Sequence, residues 1–264
     1  MRKPALALLE PELLLLAYRS GIFPMADSRD DREIYWVEPR RRAILPLDGF
    51  RCSRSLARTL RRGRFTVTCN TAFTAVVAAC AAPRASEPGT WISERIAASY
   101  EALHHAGHAH SIECWHEDAE RGRHLAGGLY GVGFDRVFCG ESMFSRATDA
   151  SKVALAWLVA ALRVAGTRVL DCQFITPHLA SLGAVEISQT RYLALLAKAR
   201  VQAPGAASPG GGGGASAAGA VGEGTGTAAL ALPDAFAGLL GLAKSAGDSS
   251  SPGNFIAQSF THTS

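Results

Sequence analysis

Two short segments of the 264-residue chain carry the residue types that a reaction site needs: Cys139-Gly140-Glu141-Ser142-Met143-Phe144-Ser145 and Asp171-Cys172-Gln173. The second lies between Val169-Leu170 and Phe174-Ile175, an apolar run that reads as a buried strand. Strand alternation places Asp171 and Gln173 on one face and Cys172 on the other. Polar side chains buried there cost roughly 1–3 kcal/mol each unless partnered. The pair is therefore either a structural hydrogen-bonded pair or part of a site. The first segment reads as a strand end that enters a loop before a helix over residues 149–164, capped by Thr148 or Asp149. An acid and hydroxyls among Met and Phe suit a site that holds an apolar group beside a reacting polar one. They equally suit an ordinary strand-to-helix loop with a capping serine.

Other familiar chemistries are not spelled out. There is no G-x-S-x-G elbow and no H-E-x-x-H pair among the eight histidines. His104 to His110 is dense but crosses a helix end near Gly107, so these read as surface or structural histidines. The six cysteines are scattered without C-x-x-C spacing, which points to buried thiols rather than zinc or disulfides. No metal and no cofactor are expected. For acetyl-CoA, Arg123-His-Leu-Ala-Gly-Gly has the wrong spacing for a pyrophosphate turn, and Gly128, Gly131 and Gly133 fall inside a strand pattern.

Charge is unevenly distributed. Nine arginines between Arg40 and Arg64 face only Asp48, a net +8 in a chain of net +4. Such an excess attracts a polyanion through counterion release, or else forms a solvated basic helix face. Little aromatic interleaving accompanies it, so stacking on single-stranded bases is not indicated.

The elements that must position these residues follow from periodicity. Helices are expected over 11–20, 53–62, 71–82, 93–105, 149–164 and 188–200, with a helical turn near Pro177. Strands are expected over 65–69, 111–116, 125–133, 136–140, 168–174 and 184–187. That order predicts a mixed α/β layer with an antiparallel half and a helix crossing to parallel strands. Beyond residue 201 the chain turns to Gly, Ala and Ser, and 201–264 reads as a low-complexity, flexible tail unnecessary for catalysis. The apolar run Leu13–Ala17 is far shorter than the ~20 residues of a membrane span, and nothing before it reads as a signal peptide. A cytoplasmic protein without membrane contact is expected.

Eight motifs then point in one direction: G-I-F-P at 21–24, G-T-W-I at 89–92, G-H-A-H-S-I-E at 107–113, G-G-L-Y-G-V at 127–132, F-C-G-E-S-M-F-S at 138–145, A-S-K at 150–152, D-C-Q at 171–173 and S-L-G-A at 181–184. In this order they closely resemble the bacterial leucyl/phenylalanyl-tRNA–protein transferases. The resemblance implies a small N-terminal domain (1–40) and a catalytic domain (41–200) similar to the GNAT acyltransferase fold. It implies transfer of leucine or phenylalanine, with methionine leaking through, from aminoacyl-tRNA to proteins beginning with arginine or lysine. The products would be read by the N-degron pathway and degraded, and the enzyme would be a monomer.

Residue by residue, the resemblance makes Asp171 and Gln173 the catalytic pair and Glu141 the site glutamate. It makes Trp91 and Tyr100 substrate-pocket aromatics and sets Phe138 and Met143 near the acyl side chain, with Ser145 closing the same segment. Arg40, Arg41, Arg42, Arg54, Arg58, Arg61 and Arg62 would receive the tRNA acceptor arm. Two positions depart from the family's best-known members. Met25 stands where they place a tryptophan near the terminal adenosine, and Thr176-Pro177 stands where they carry Asn-Asp. The expected chemistry is aminolysis of an ester. The Gln173 carbonyl would accept a hydrogen bond from the attacking amine, Asp171 would orient its amide, and Glu141 would hold the amine or a cationic acceptor side chain. Two rivals remain at this point: an acetyl-CoA-dependent GNAT enzyme, and a non-catalytic RNA-binding module.

Overall fold

The computed structural model describes residues 7–83, 89–201, 229–245 and 251–260. A short helix α1 (Pro11–Arg19) leads into a two-stranded ribbon, β1 (Phe23–Met25) antiparallel to β2 (Tyr35–Val37). Then follow β3 (Arg41–Ile44), α2 (Arg54–Arg61), β4 (Thr66–Cys69), α3 (Phe73–Cys80), α4 (Glu94–His105), β5 (Ala109–Asp118), β6 (Gly122–Phe134) and β7 (Val137–Ser145). The chain continues through α5 (Ala150–Val164), β8 (Val169–Gln173), α6 (Pro177–Ser181), β9 (Val185–Ser188) and α7 (Gln189–Val201). Two further helices, α8 (Leu232–Ser245) and α9 (Pro252–Ser259), complete the described residues.

A seven-stranded sheet in the order β4-β5-β6-β7-β8-β3-β9 forms the centre. All its pairs are antiparallel except β7 and β8, which run parallel and are joined by the α5 crossover. This is the mixed α/β layer that the element order predicts. Parallel pairing holds at Val137↔Val169, Phe138↔Leu170 and Cys139↔Asp171, and then stops. Beyond it the two strands part, and the parting opens the site.

β7 corrects one expectation: residues 140–145 are strand, not loop, and stay paired with β6 up to Gly127↔Ser145. The register jumps between Tyr130↔Ser142 and Gly131↔Gly140, so Glu141 has no partner across the ladder. It is the extra residue of a β-bulge, a device that re-aims a side chain. Asp149 stands at the expected N-cap, but its side chain does not cap the helix. It adopts φ 67, and its carboxylate takes Lys152 Nζ at 3.0 Å instead. Ser145 Oγ accepts from the Ser151 amide at 3.2 Å.

α5 is apolar nearly all round, and 12 of its 15 residues are buried. Such a helix needs cover on every side. The sheet covers one side, approached closely at Gly127, where a Cβ would meet Ala150 Cβ at 2.6 Å. The other side is covered by α8, α2 and α9. Leu232, Phe236 and Leu239 are buried at helical spacing in α8, and the Phe236 ring lies 5.4 Å from that of Trp157. Ile256 and Ala257 of α9 are buried with Leu56 and Leu60 of α2 in the same core. Residues 229–245 and 251–260 are thus part of the folded body, which overturns the flexible-tail reading there; residues 202–228 lie outside the described residues.

The N-terminal segment packs on the opposite side of the core, where Leu14, Leu15 and Tyr18 join Ile96, Tyr100 and Tyr192. A two-pronged Arg19–Asp135 pair, at 3.0 and 2.9 Å, ties α1 to the β6–β7 turn. No helix among the described residues is long and apolar enough to cross a membrane.

Candidate active site

Where β7 and β8 part lies a cavity of about 420 Å³. Its apolar wall is Leu129, Met143, Leu155, Leu158, Leu170 and Leu179. Its polar wall is Tyr130, Glu141, Gln173, Thr176 and His178. The bulge delivers Glu141 and the end of β8 delivers Gln173, so the side chains meet: Gln173 Nε2 donates to Glu141 Oε1 at 3.2 Å. With its amide nitrogen so engaged, Gln173 keeps its carbonyl oxygen as an acceptor.

Gln173 reaches the cavity because its backbone departs from strand geometry, at φ 54. This left-handed conformation is uncommon for a side chain other than Gly, Asn or Asp. The Asp171 carboxylate fixes it, accepting the Gln173 backbone N–H at 2.9 Å. The same-face expectation is therefore corrected. Cys172 and Gln173 line the cavity, whereas Asp171 is fully buried outside its lining.

Asp171 also accepts from Arg42 Nε at 2.9 Å, Arg42 Nη2 at 2.5 Å and Tyr192 OH at 3.0 Å. Arg42 is 1% exposed, donates to the Gly21 carbonyl, and sits between the rings of Phe23 and Tyr192. Burial alone would lower its pKa, but Asp171 more than reverses this and keeps it charged. Arg42 is accordingly removed from the set of surface arginines. An inward side chain in a buried ion pair offers nothing to a phosphate.

Glu141 is the end of a second chain of hydrogen bonds. Tyr100 OH donates to its Oε2 at 2.9 Å, and Tyr18 OH meets Tyr100 OH at 2.5 Å. Burial and the Glu141 charge push both phenols well above their ordinary value, so both keep their protons. Glu141 itself is pushed up to about 7, mainly by desolvation and further by Asp171, against the pull of the two tyrosine hydroxyls and Arg42. A carboxyl balanced near neutrality, beside a free amide carbonyl and an apolar cavity, suits positioning of an amine and handling of a proton.

The remaining candidates are dispersed. Met143 lines the cavity, while Tyr100 stands behind Glu141 as its donor. Phe138 is fully buried in the core and does not line the cavity. Ser145 lies in an adjoining cleft with Arg146 and Ser151, which shares Met143 and His178 with the main cavity. Met25 is in the ribbon opposite Tyr35, and the neighbouring Ala26 amide donates to the Trp91 carbonyl at 3.2 Å. Neither Met25 nor Trp91 lines the cavity. Arg40, Arg41, Arg54, Arg58, Arg61 and Arg62 are exposed, the last four on or at the end of α2, whose cap is Ser53. Arg41 is paired with Glu186 at 2.7 Å.

The histidines of 104–110 have structural partners. His104 stacks on Phe73 at 4.2 Å and bonds the Ala109 carbonyl, and His110 meets Asn70 Nδ2 at 3.0 Å. Burial, with His104 and His108 nearby, lowers His110 to about 4 and keeps it neutral. All six cysteines are free thiols. Sequence reasoning missed Tyr18, Tyr130, Tyr192 and the true role of Arg42. The Tyr130 hydroxyl is buried with no partner among the described residues. Only an alternation argument applied to β6 could have marked Tyr130, and nothing local marks the others.

The comparisons with known proteins agree with the geometry. A family profile described as leucyl/phenylalanyl-tRNA protein transferase matches residues 44–197, and the profile of that family's N-terminal domain matches residues 7–40. The chain is 66% identical over 261 residues to a leucyl/phenylalanyl-tRNA–protein transferase of Novosphingobium aromaticivorans, covering 96% of each chain. It is 60% identical over 203 residues to the protein of that name in Rhizorhabdus wittichii, covering 77% of this chain and 80% of the relative. A Cereibacter sphaeroides relative of the same name is 54% identical over 210 residues, covering 80% and 92%. Fold, site and relatives together define an aminoacyltransferase that uses aminoacyl-tRNA and a protein substrate. The chain belongs to the leucyl/phenylalanyl-tRNA protein transferase family.

Proposed function

We propose that this chain moves leucine or phenylalanine, and methionine less well, from aminoacyl-tRNA to the N-terminal arginine or lysine of acceptor proteins. So marked, the acceptors enter N-degron-dependent degradation in the cytoplasm, with the enzyme acting as a monomer. The observation that carries this reading is the meeting of Glu141 and Gln173 on the wall of a leucine-lined cavity. The cavity takes an apolar side chain that is not branched at Cβ, as in leucine and phenylalanine. A difference of one or two methylenes is worth only about 1–3 kcal/mol, so methionine leaks through, while β-branched residues crowd the reacting carbon.

The acceptor's α-amine has a pKa of ~8, so roughly a tenth is neutral near pH 7 and a strong base is not needed. Its lone pair attacks the ester carbonyl carbon, the tetrahedral intermediate collapses, and the bond to the ribose oxygen breaks. The amine's proton ends on that ribose oxygen. The Gln173 carbonyl accepts from the amine and orients it. Glu141, with its pKa near 7, holds the amine or the cationic acceptor side chain. Asp171 is a positioning residue that acts through the Gln173 backbone and Arg42, not through the Gln173 amide. Tyr130 is a further candidate donor to the substrate, because its buried hydroxyl is otherwise unsatisfied.

Residues 7–40 serve as the small N-terminal domain, and the antiparallel run leading through α5 to the parallel β8 supports a GNAT-like reading of the larger one. Gly128, Gly131 and Gly133 lie inside β6 and not in a turn that opens a helix, which argues against acetyl-CoA. The exposed arginines of α2, with Arg40 and Arg41, form the acceptor-arm surface, and Met25 stands near the terminal adenosine. The test is transfer of radiolabelled leucine, phenylalanine, methionine and valine from their tRNAs to peptides starting with Arg, Lys or Ala. Labelling of the Arg and Lys peptides by the first two, weakly by the third and not by valine, is expected. Labelling of none, with a related transferase active alongside, would overturn the proposal.

A further inference from the structure

The end of the β5–β6 hairpin gathers three metal-ligating side chains that the cavity does not use. His116 and His124 are direct cross-strand partners, and their ring centroids are 5.6 Å apart. Asp118, paired with Gly122, closes the same end of the ladder. Its Oδ2 lies 4.0 Å from His116 Nδ1 and 3.7 Å from His124 Nδ1. One ligand atom from each residue falls within 4.8 Å of the other two.

The cluster is held ready. Asp118 Oδ1 accepts the backbone N–H groups of Arg121 at 2.6 Å and Glu120 at 3.1 Å, which fixes the carboxylate and leaves Oδ2 towards the two rings. The His116 ring rests 5.8 Å from that of Phe65. His124 Nδ1 lies 3.1 Å from the Gly122 carbonyl, a bond it exchanges for the ion, because a ligating ring nitrogen carries no proton. Arg123 is turned away over the Trp115 ring, so its charge does not fill the site. The three side chains are 26%, 29% and 35% exposed, open enough for water to complete a coordination shell.

We propose that His116, Asp118 and His124 bind a borderline divalent transition metal ion, Zn²⁺ or Ni²⁺, with water in the remaining positions. Tetrahedral zinc with bonds of ~2.0–2.2 Å sets its ligand atoms about 3.4 Å apart. The Asp118 oxygen, at 4.0 Å from His116 Nδ1 and 3.7 Å from His124 Nδ1, is somewhat beyond that spacing from each ring, and rotations of the partly exposed side chains close the gaps. Two imidazoles with one carboxylate favour such ions over the hard Mg²⁺ and Ca²⁺. The bound ion clips β5 to β6 across the hairpin. It sits about 16 Å or more along β6 from the cavity-lining Leu129, at ~3.3 Å per residue, so it is a structural site and transfer does not depend on it.

Calorimetric titration of Zn²⁺ and of Ni²⁺ into the untagged full-length chain tests this, alongside His116→Ala, His124→Ala and Asp118→Asn. Circular dichroism shows whether each variant is folded. One saturable equivalent is expected for the native sequence, and none for either histidine variant. Binding should be weakened at least about tenfold in Asp118→Asn, since losing even an outer-shell partner of a metal ligand costs ~10–100-fold in affinity. Mg²⁺ should give no saturable heat. No stoichiometric binding to the native sequence would overturn the proposal. So would equal binding to the folded histidine variants, which would assign the metal to the free thiols or other histidines.

Discussion

The Asp171 carboxylate accepts the backbone N–H of Gln173 at 2.9 Å and makes no bond to the Gln173 side-chain amide. One residue of the pair thus shapes the strand end that delivers the other. Arg42 completes the arrangement from β3, the neighbouring strand, and the Gln173 side chain, which lines the cavity, is bonded to Glu141 instead.

This division of labour separates stability from rate. Arg42→Met leaves the Asp171 charge uncompensated in the interior, and breaking one side of a buried pair costs about 3–5 kcal/mol. Gln173→Ala removes a cavity-wall side chain and its bond to Glu141, a smaller loss of about 0.5–1.5 kcal/mol. Urea denaturation of the two variants checks this. Comparable losses in both would show that Arg42 and Gln173 do not play these separate parts.

Glu141 links stability to pH. Its folded pKa, about 7, lies above its ordinary value of 4.5, so folding takes up a proton between these limits. More protons bound in the folded than in the unfolded state means that stability falls as pH rises through this window, and is flat in this respect above it. Wild type should therefore lose stability relative to Glu141→Gln between about pH 5 and pH 8. Denaturation midpoints of both proteins across that range supply the test, and parallel curves would contradict the assignment.

The C-terminal helices should be indispensable to the fold. Removing residues 202–264 exposes the α5 and α2 surfaces now covered by Leu232, Phe236, Leu239 and Ile256. Each such side chain contributes roughly 1.5–3 kcal/mol on burial. Even Phe236→Ala alone should cost about 3–5 kcal/mol. Thermal melts followed by circular dichroism read both effects; a truncated chain melting with the intact protein would return these helices to the status of an appendage.

The proposed acceptor-arm surface predicts a salt signature. Arg58→Ala and Arg61→Ala should each weaken tRNA binding whatever the amino acid attached. Each should also reduce the slope of log affinity against log salt by roughly 0.7–0.9. Arg41→Ala should do less, because Arg41 is already paired with Glu186. Filter binding over a salt series measures this, and unchanged slopes in both α2 variants would move the tRNA elsewhere.

What could be read from the sequence, and what could not, has physical causes. An acid and an amide inside an apolar strand mark Asp171 and Gln173, and the meander, the α5 crossover and β8 follow from periodicity. Alternation fails at Gln173 because one left-handed residue rotates its side chain away from the strand's rule. The bulge at Glu141 disguises a continuous β7 as a loop, since one extra residue shifts the pattern by one. Arg42 is hidden among eight other arginines, and only the packing of Phe23, Tyr192 and Asp171 distinguishes it. The covering role of α8 and α9 was implicit in α5, a helix without a polar face, but not in the composition of the segment that supplies the cover.

The most direct test of the central claim is single-turnover transfer of leucine from leucyl-tRNA to an Arg-initiated peptide, comparing wild type with Gln173→Ala. Losing a group that orients the attacking amine should slow the chemical step by about 10²-fold, with tRNA and peptide affinities unchanged. An unaltered rate in a folded Gln173→Ala protein would contradict the account.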